Sequence, residues 1–144
     1  SEYFEFPEDP NATDKLIPVI HSYPQNNVKP WSNEAYSQSI KSSKIDKCFA
    51  LLDEAFFSKN IPVYISETGC SIESPGREEC MKDFCTEVTK SGRSCSFAHH
   101  DDTTVVDKTN TESGGASFML YDKFTNEWLP EHKDYLDMIF DMMK

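Results

Sequence analysis

The sequence predicts an α/β fold with a parallel sheet and helices packed outside it. Three observations carry this. Short apolar runs without strict alternation recur along the chain, as in strands buried on both faces. Segments with helical spacing of apolar residues separate them. A helix-forming segment also follows each of the first two runs, which is the connection parallel strands require.

The first run, Leu16-Ile17-Pro18-Val19-Ile20, ends at His21. Ile45, Cys48, Phe49, Leu52 and Phe56 then repeat at helical spacing, with Ser43 and Asp46 placed as a capping pair. A second run, Ile61-Pro62-Val63-Tyr64-Ile65, ends at Ser66-Glu67 and completes a βαβ unit. A second helix is signalled by Ser74-Pro75 at its start, by Met81, Phe84, Cys85 and Val88 on one face, and by Gly92 at its end. Ser94-Cys95-Ser96-Phe97-Ala98 is the third strand. The polar stretch from His99 to Gly115 reads as a long functional loop. Phe118-Met119-Leu120-Tyr121 returns to the interior, and a last helix from near Pro130 is expected to bury Tyr135, Leu136, Ile139, Phe140 and Met143.

A chain of 144 residues suits one domain. Its 25 acidic against 14 basic residues give a formal charge of -11, which repels phosphate backbones and anionic lipid, so neither nucleic acid nor a membrane surface is an expected partner. No apolar run approaches the ~20 residues of a membrane-spanning helix. The opening Ser1, with no initiator Met and no charged leader, is compatible with a cut start. Five cysteines cannot all pair within one chain, and Cys48, Cys80 and Cys85 fall in helical segments, so they read as small hydrophobes. Cys70, in a loop, is expected to be the most reactive. One sequon, Asn11-Ala12-Thr13, permits glycosylation in a secretory setting.

In parallel sheets with outer helices, chemistry gathers where the C-terminal ends of strands meet loops. His21 with Tyr23 follows the first strand, Glu67 closes the second, and His99-His100-Asp101-Asp102 follows the third, so all three sets share one rim. The histidine and aspartate pairs are metal-capable, but adjacent residues seldom converge on one ion and no HExxH or paired-cysteine spacing supports zinc. Taken alone, Glu67 is a solvated loop carboxylate and His21 a structural histidine.

Larger motifs reverse that reading. Asp14-Lys15-Leu16-Ile17-Pro18-Val19-Ile20-His21-Ser22-Tyr23 resembles the sixth-strand segment of glycoside hydrolase family 5 endoglucanases, where a His-x-Tyr lines the sugar site. Lys59-Asn60-Ile61-Pro62-Val63-Tyr64-Ile65-Ser66-Glu67-Thr68-Gly69 resembles their seventh-strand segment, whose Glu is the catalytic nucleophile. Phe118-Met119-Leu120-Tyr121-Asp122-Lys123 with Glu127-Trp128-Leu129 is similar to the closing segment after the eighth strand. The resemblance implies a partial (β/α)8 TIM barrel in which residues 1–144 form a single C-terminal part, strands 6 to 8 with their helices. It implies retaining hydrolysis of a β-1,4-glucan, with Glu67 attacking the anomeric carbon, His21 and Tyr23 binding substrate or orienting Glu67, and Trp31 stacking on a sugar face.

The partner acid, carried by an Asn-Glu-Pro segment in that family, is not in this sequence. The mechanism places its two carboxyl groups about 5–5.5 Å apart and needs no cofactor. Where the family carries a tryptophan at the eighth strand, this chain reads Phe97-Ala98-His99-His100-Asp101. Either Phe97 or His99 substitutes for the platform, or sugar binding weakens by roughly 1–3 kcal/mol. Two classes of function follow: the nucleophile half of a glycosidase, or a non-catalytic relic that binds glucan or a protein. Three parallel strands cannot close a barrel, so association with an N-terminal barrel half or another copy is expected. A secreted location is what the resemblance favours.

Overall fold

The computed structural model describes residues 16–24, 35–70, 74–101, 120–122 and 125–144. Trp31, the sequon at Asn11 and most of the polar stretch after β3 lie outside them. Three strands, β1 (Val19–His21), β2 (Val63–Thr68) and β3 (Cys95–His99), form one parallel sheet in the order β1-β2-β3. The strand-helix alternation read from the sequence is therefore present, with the C-terminal ends of all three strands at one edge.

Between β1 and β2 the chain is helical through three contiguous stretches: α1 (Gln38–Ile40), a π-helical segment Lys41–Asp46 and α2 (Lys47–Ala55). The cap lies earlier than expected. The Ser37 hydroxyl accepts from the Ile40 backbone N–H at 3.4 Å, while Ser43 and Asp46 sit inside the helix, Ser43 donating back to the Ile40 carbonyl. Buried Ile45, Phe49, Leu52 and Phe56 are the stripe that meets the sheet.

α3 (Arg77–Val88) connects β2 to β3. It begins at Gly76, whose φ of +78° is left-handed and where an added Cβ would come 2.9 Å from Tyr36 Cβ, so only glycine fits the turn. Its Cys80, Met81, Phe84, Cys85 and Val88 are buried as the spacing requires. After β3 come a short antiparallel pair, β4 (Tyr121–Asp122) with β5 (Glu127–Trp128), and α4 (Lys133–Met142), entered through a 3-10 turn at Pro130–His132.

Two burial expectations are corrected. On α4 only Tyr135 and Ile139 are buried; Phe140 is 59 % exposed and Met143 37 %, because among the described residues α4 is packed on one side, against α3. Among the described residues the sheet likewise has one covered face. Val63 and Ile65 point into the helical layer and are buried, whereas Val19 on the neighbouring strand is 58 % exposed. No helix among the described residues is long and apolar enough to cross a membrane.

Candidate active site

Glu67 owes its position to an irregularity in β2. Ile65 pairs with Phe97 and Thr68 with His99, so β2 spends one more residue than β3 over that interval. On the other side Ile20 pairs with Ile65 and His21 with Glu67, so the extra residue is set against β1 as well. Strict alternation from Val63 and Ile65 would send Glu67 into the apolar helical layer. The bulge at Ser66-Glu67 resets the phase: Thr68 takes the buried place, fully enclosed, and Glu67 turns to the rim. The sheet continues past it, since Ser22 N–H donates to the Glu67 carbonyl at 2.9 Å and His100 N–H to the Thr68 carbonyl at 2.7 Å.

The partners of Glu67 arrive from the end of β1. Tyr23 donates its hydroxyl to Glu67 Oε2 at 2.7 Å, and His21 Nδ1 lies 3.3 Å from the same oxygen. Burial first, then the bond to Glu67, raises the Tyr23 phenol well above its ordinary range, so it stays a protonated donor. Glu67 is 39 % exposed and His21 58 %, so the histidine pair is of the solvated kind that contributes about 0–1 kcal/mol. The carboxylate is oriented by a phenol and an imidazole, and among the described residues no fixed cation neutralises it. That leaves it with one side open to solvent.

Residues 2–103 match the cellulase family, glycosyl hydrolase family 5. The chain belongs to that family. Solved structures with the same fold include a lichenase from Caldicellulosiruptor sp. F32, a mutant in complex with cellotetraose, at 21% identity and a TM-score of 0.71, covering 98% of this chain and 38% of that one. A broad-specificity endoglucanase from Ruminococcus flavefaciens matches at 19% identity and 0.71, covering 97% and 39%. A xyloglucan-specific endo-β-1,4-glucanase from a metagenomic library, in complex with cellotriose, matches at 22% and 0.69, covering 95% and 38%. The chain spans under two fifths of the length of each of these. No curated protein sequence matches it.

Within this member of the cellulase family, the sequence-predicted residues separate into two groups. His21, Tyr23 and Glu67 come together. Phe97 and His99 do not join them. Phe97 packs edge-on against Phe84 of α3 with ring centroids 5.5 Å apart, and His99 Nε2 is 2.9 Å from the Tyr135 hydroxyl of α4. Both side chains face the helical layer, where with Leu120, Trp128 and Ile139 they line a cleft of about 330 Å³ separate from the Glu67 rim. Neither side chain is on the side of the sheet that carries Glu67. Trp31 lies outside the described residues.

His99 also has an assignable proton. Its Nδ1 is 2.7 Å from the His100 carbonyl, which only accepts, so Nδ1 carries the hydrogen and Nε2 accepts from Tyr135. Burial lowers its pKa to about 4 and keeps the ring neutral. Cys70 is the reverse of reactive: it is 1 % exposed and burial pushes its thiol well above the ordinary value. Among the described residues no three His, Cys, Asp or Glu side chains are grouped to hold a metal.

His100, placed on the rim by the sequence but given no substrate role, meets Tyr23 edge-on at 6.0 Å and 83°. Alternation held the signal: once His99 is committed to the helical layer, its successor must project to the other side.

Proposed function

We propose that this chain carries the nucleophile half of a retaining glycosidase site that acts on a β-1,4-glucan. Glu67 attacks the anomeric carbon, Tyr23 and His21 hold its carboxylate, and a second carboxylic acid protonates the leaving oxygen. The observation that carries this reading is the convergence of Tyr23 and His21 on Glu67 Oε2 at the C-terminal end of the central strand, in a chain whose family is shown. The cello-oligosaccharides bound to its structural neighbours support the substrate class. In this reading residues 1–144 form one unit, the last three βα units of a (β/α)8 barrel. The partner acid then comes from an N-terminal barrel half or another copy, with Trp31 stacking on sugar and the working protein secreted.

A second reading, a relic that binds glucan or protein without catalysis, is favoured by the turning of Phe97 and His99 away from the rim. A substrate that needs no acid separates the two. A dinitrophenyl fluoro-deoxy cellobioside loses its phenolate without protonation when a carboxylate oxygen displaces it, leaving a glycosyl ester. The purified chain should gain one glycosyl group on the peptide holding Glu67, and Glu67→Gln should gain none. An unlabelled chain would leave the binding reading in place.

A further inference from the structure

We propose that His100 is a positioning residue for Glu67, acting through the Tyr23 ring. This deepens the glycosidase reading of the same rim, and its test is chosen so that the two can fail separately.

His100 is fixed from two directions. Its backbone N–H is bonded to the Thr68 carbonyl at 2.7 Å, one residue beyond Glu67. Its predecessor His99 is anchored on the opposite face by Tyr135 at 2.9 Å, so the backbone at this point fixes the face from which the imidazole projects. The His100 ring therefore stands against Tyr23, with centroids 6.0 Å apart and planes at 83°. That edge-to-face geometry is the favourable one for an aromatic pair.

Tyr23 follows β1, whose backbone joins β2 as far as Ser22 N–H on the Glu67 carbonyl. Its phenol carries the 2.7 Å bond to Glu67 while its own ring meets a neighbouring ring, so a change at that contact changes where the phenol points. His100 supplies that ring from β3, so the three strand ends converge on one carboxylate: β1 gives the donors, β2 the nucleophile, β3 the stop.

The test follows the Tyr23 phenol carbon by NMR in protein labelled at tyrosine, with Tyr23→Phe to assign it. Its resonance reports the bond to Glu67, and Glu67→Gln marks the position without the carboxylate. With His100→Ala the resonance should move at least halfway to that position, whereas His100→Phe, which keeps a ring, should hold it at the wild-type place. The glycosyl-labelling rate at Glu67 should fall about tenfold in His100→Ala and recover to within about twofold in His100→Phe. A Tyr23 resonance unmoved by His100→Ala overturns the positioning role. So does equal movement in both variants. If the wild-type chain takes no label while the resonances behave as expected, the glycosidase reading fails and the positioning stands.

Discussion

The two ends of the sheet treat carboxylates in opposite ways. At the N-terminal end of β3, Arg93, only 5 % exposed, is bonded to Asp53 on α2 and Glu87 on α3, and its guanidinium rests over the rings of Phe49 and Phe57. Each acid there is neutralised by a fixed cation and its reactivity is spent on holding two helices to the sheet. At the C-terminal end, Glu67 has a phenol and an exposed imidazole and keeps a solvent-facing side. The same functional group is a staple at one end and a candidate nucleophile at the other, and the difference is the guanidinium.

The comparison breaks most sharply if Glu67 is moved between these environments. Exchanging two residues, Ile65→Glu with Glu67→Ile, places the carboxylate on the buried face of β2, in register with Phe97. An unpaired carboxylate buried there costs several kcal/mol, so the double variant should lose cooperative unfolding in urea and all glycosyl labelling. A double variant of wild-type stability would show that burial is not what separates the two environments.

The opposite end offers the next largest effect. Arg93→Met leaves the mostly buried Glu87 with only Lys90 as a cation and Asp53 half-exposed beside it, and losing the bonds from a buried guanidinium to two carboxylates costs about 2–3 kcal/mol. The urea midpoint should fall accordingly. If the variant remains folded, labelling at Glu67 should persist, since the two ends share no side chain.

Acid should separate the ends too. The folded-state pKa of His99, lowered by burial to about 4, lies below the 6.5 of a free imidazole. As pH falls below 6.5 the unfolded chain takes the proton first, so this stability is complete above pH 6.5 and is lost progressively down to about pH 4. The full difference is about 3 kcal/mol. His132, lowered by burial and by Arg77, acts in the same direction. Denaturation midpoints measured from pH 7.5 to 4.5 should decline less steeply in a His99→Gln variant, and equal slopes would place the acid sensitivity elsewhere.

These residues also show where the sequence was legible. Apolar runs and helical stripes located all three parallel strands and the helices between them, because burial against one layer imposes the spacing. The rim was readable as a set of polar residues at strand ends. The bulge was invisible, since hydrophobic period cannot register one extra residue when the next buried position is a threonine. The side on which Phe97 and His99 lie was hidden for a related reason. In a strand expected to be buried on both faces, apolarity does not choose a face, and the deciding contacts come from Phe84 and Tyr135, one of them 36 residues away. Phe140 and Met143 misled because a helix with two apolar faces looks fully buried whichever face is covered.

The smallest effect gives the sharpest contrast, because two phenol–carboxylate pairs among the described residues are of nearly equal length. Tyr23 donates to Glu67 at 2.7 Å on the rim, and Tyr36 donates to Asp83 at 2.6 Å where the first helical segment meets α3. Asp83 also carries Lys41 at 3.2 Å, so the second pair belongs with the cation-held acids of the staple. Tyr23→Phe and Tyr36→Phe each remove one partly exposed hydrogen bond and should each lower stability by about 1 kcal/mol in urea denaturation. Only Tyr23→Phe should slow labelling of Glu67, by roughly tenfold, or 1.4 kcal/mol of barrier. Equal labelling in both variants would mean that Glu67 needs no aiming by its phenol, and the rim would then differ from the staple only in exposure.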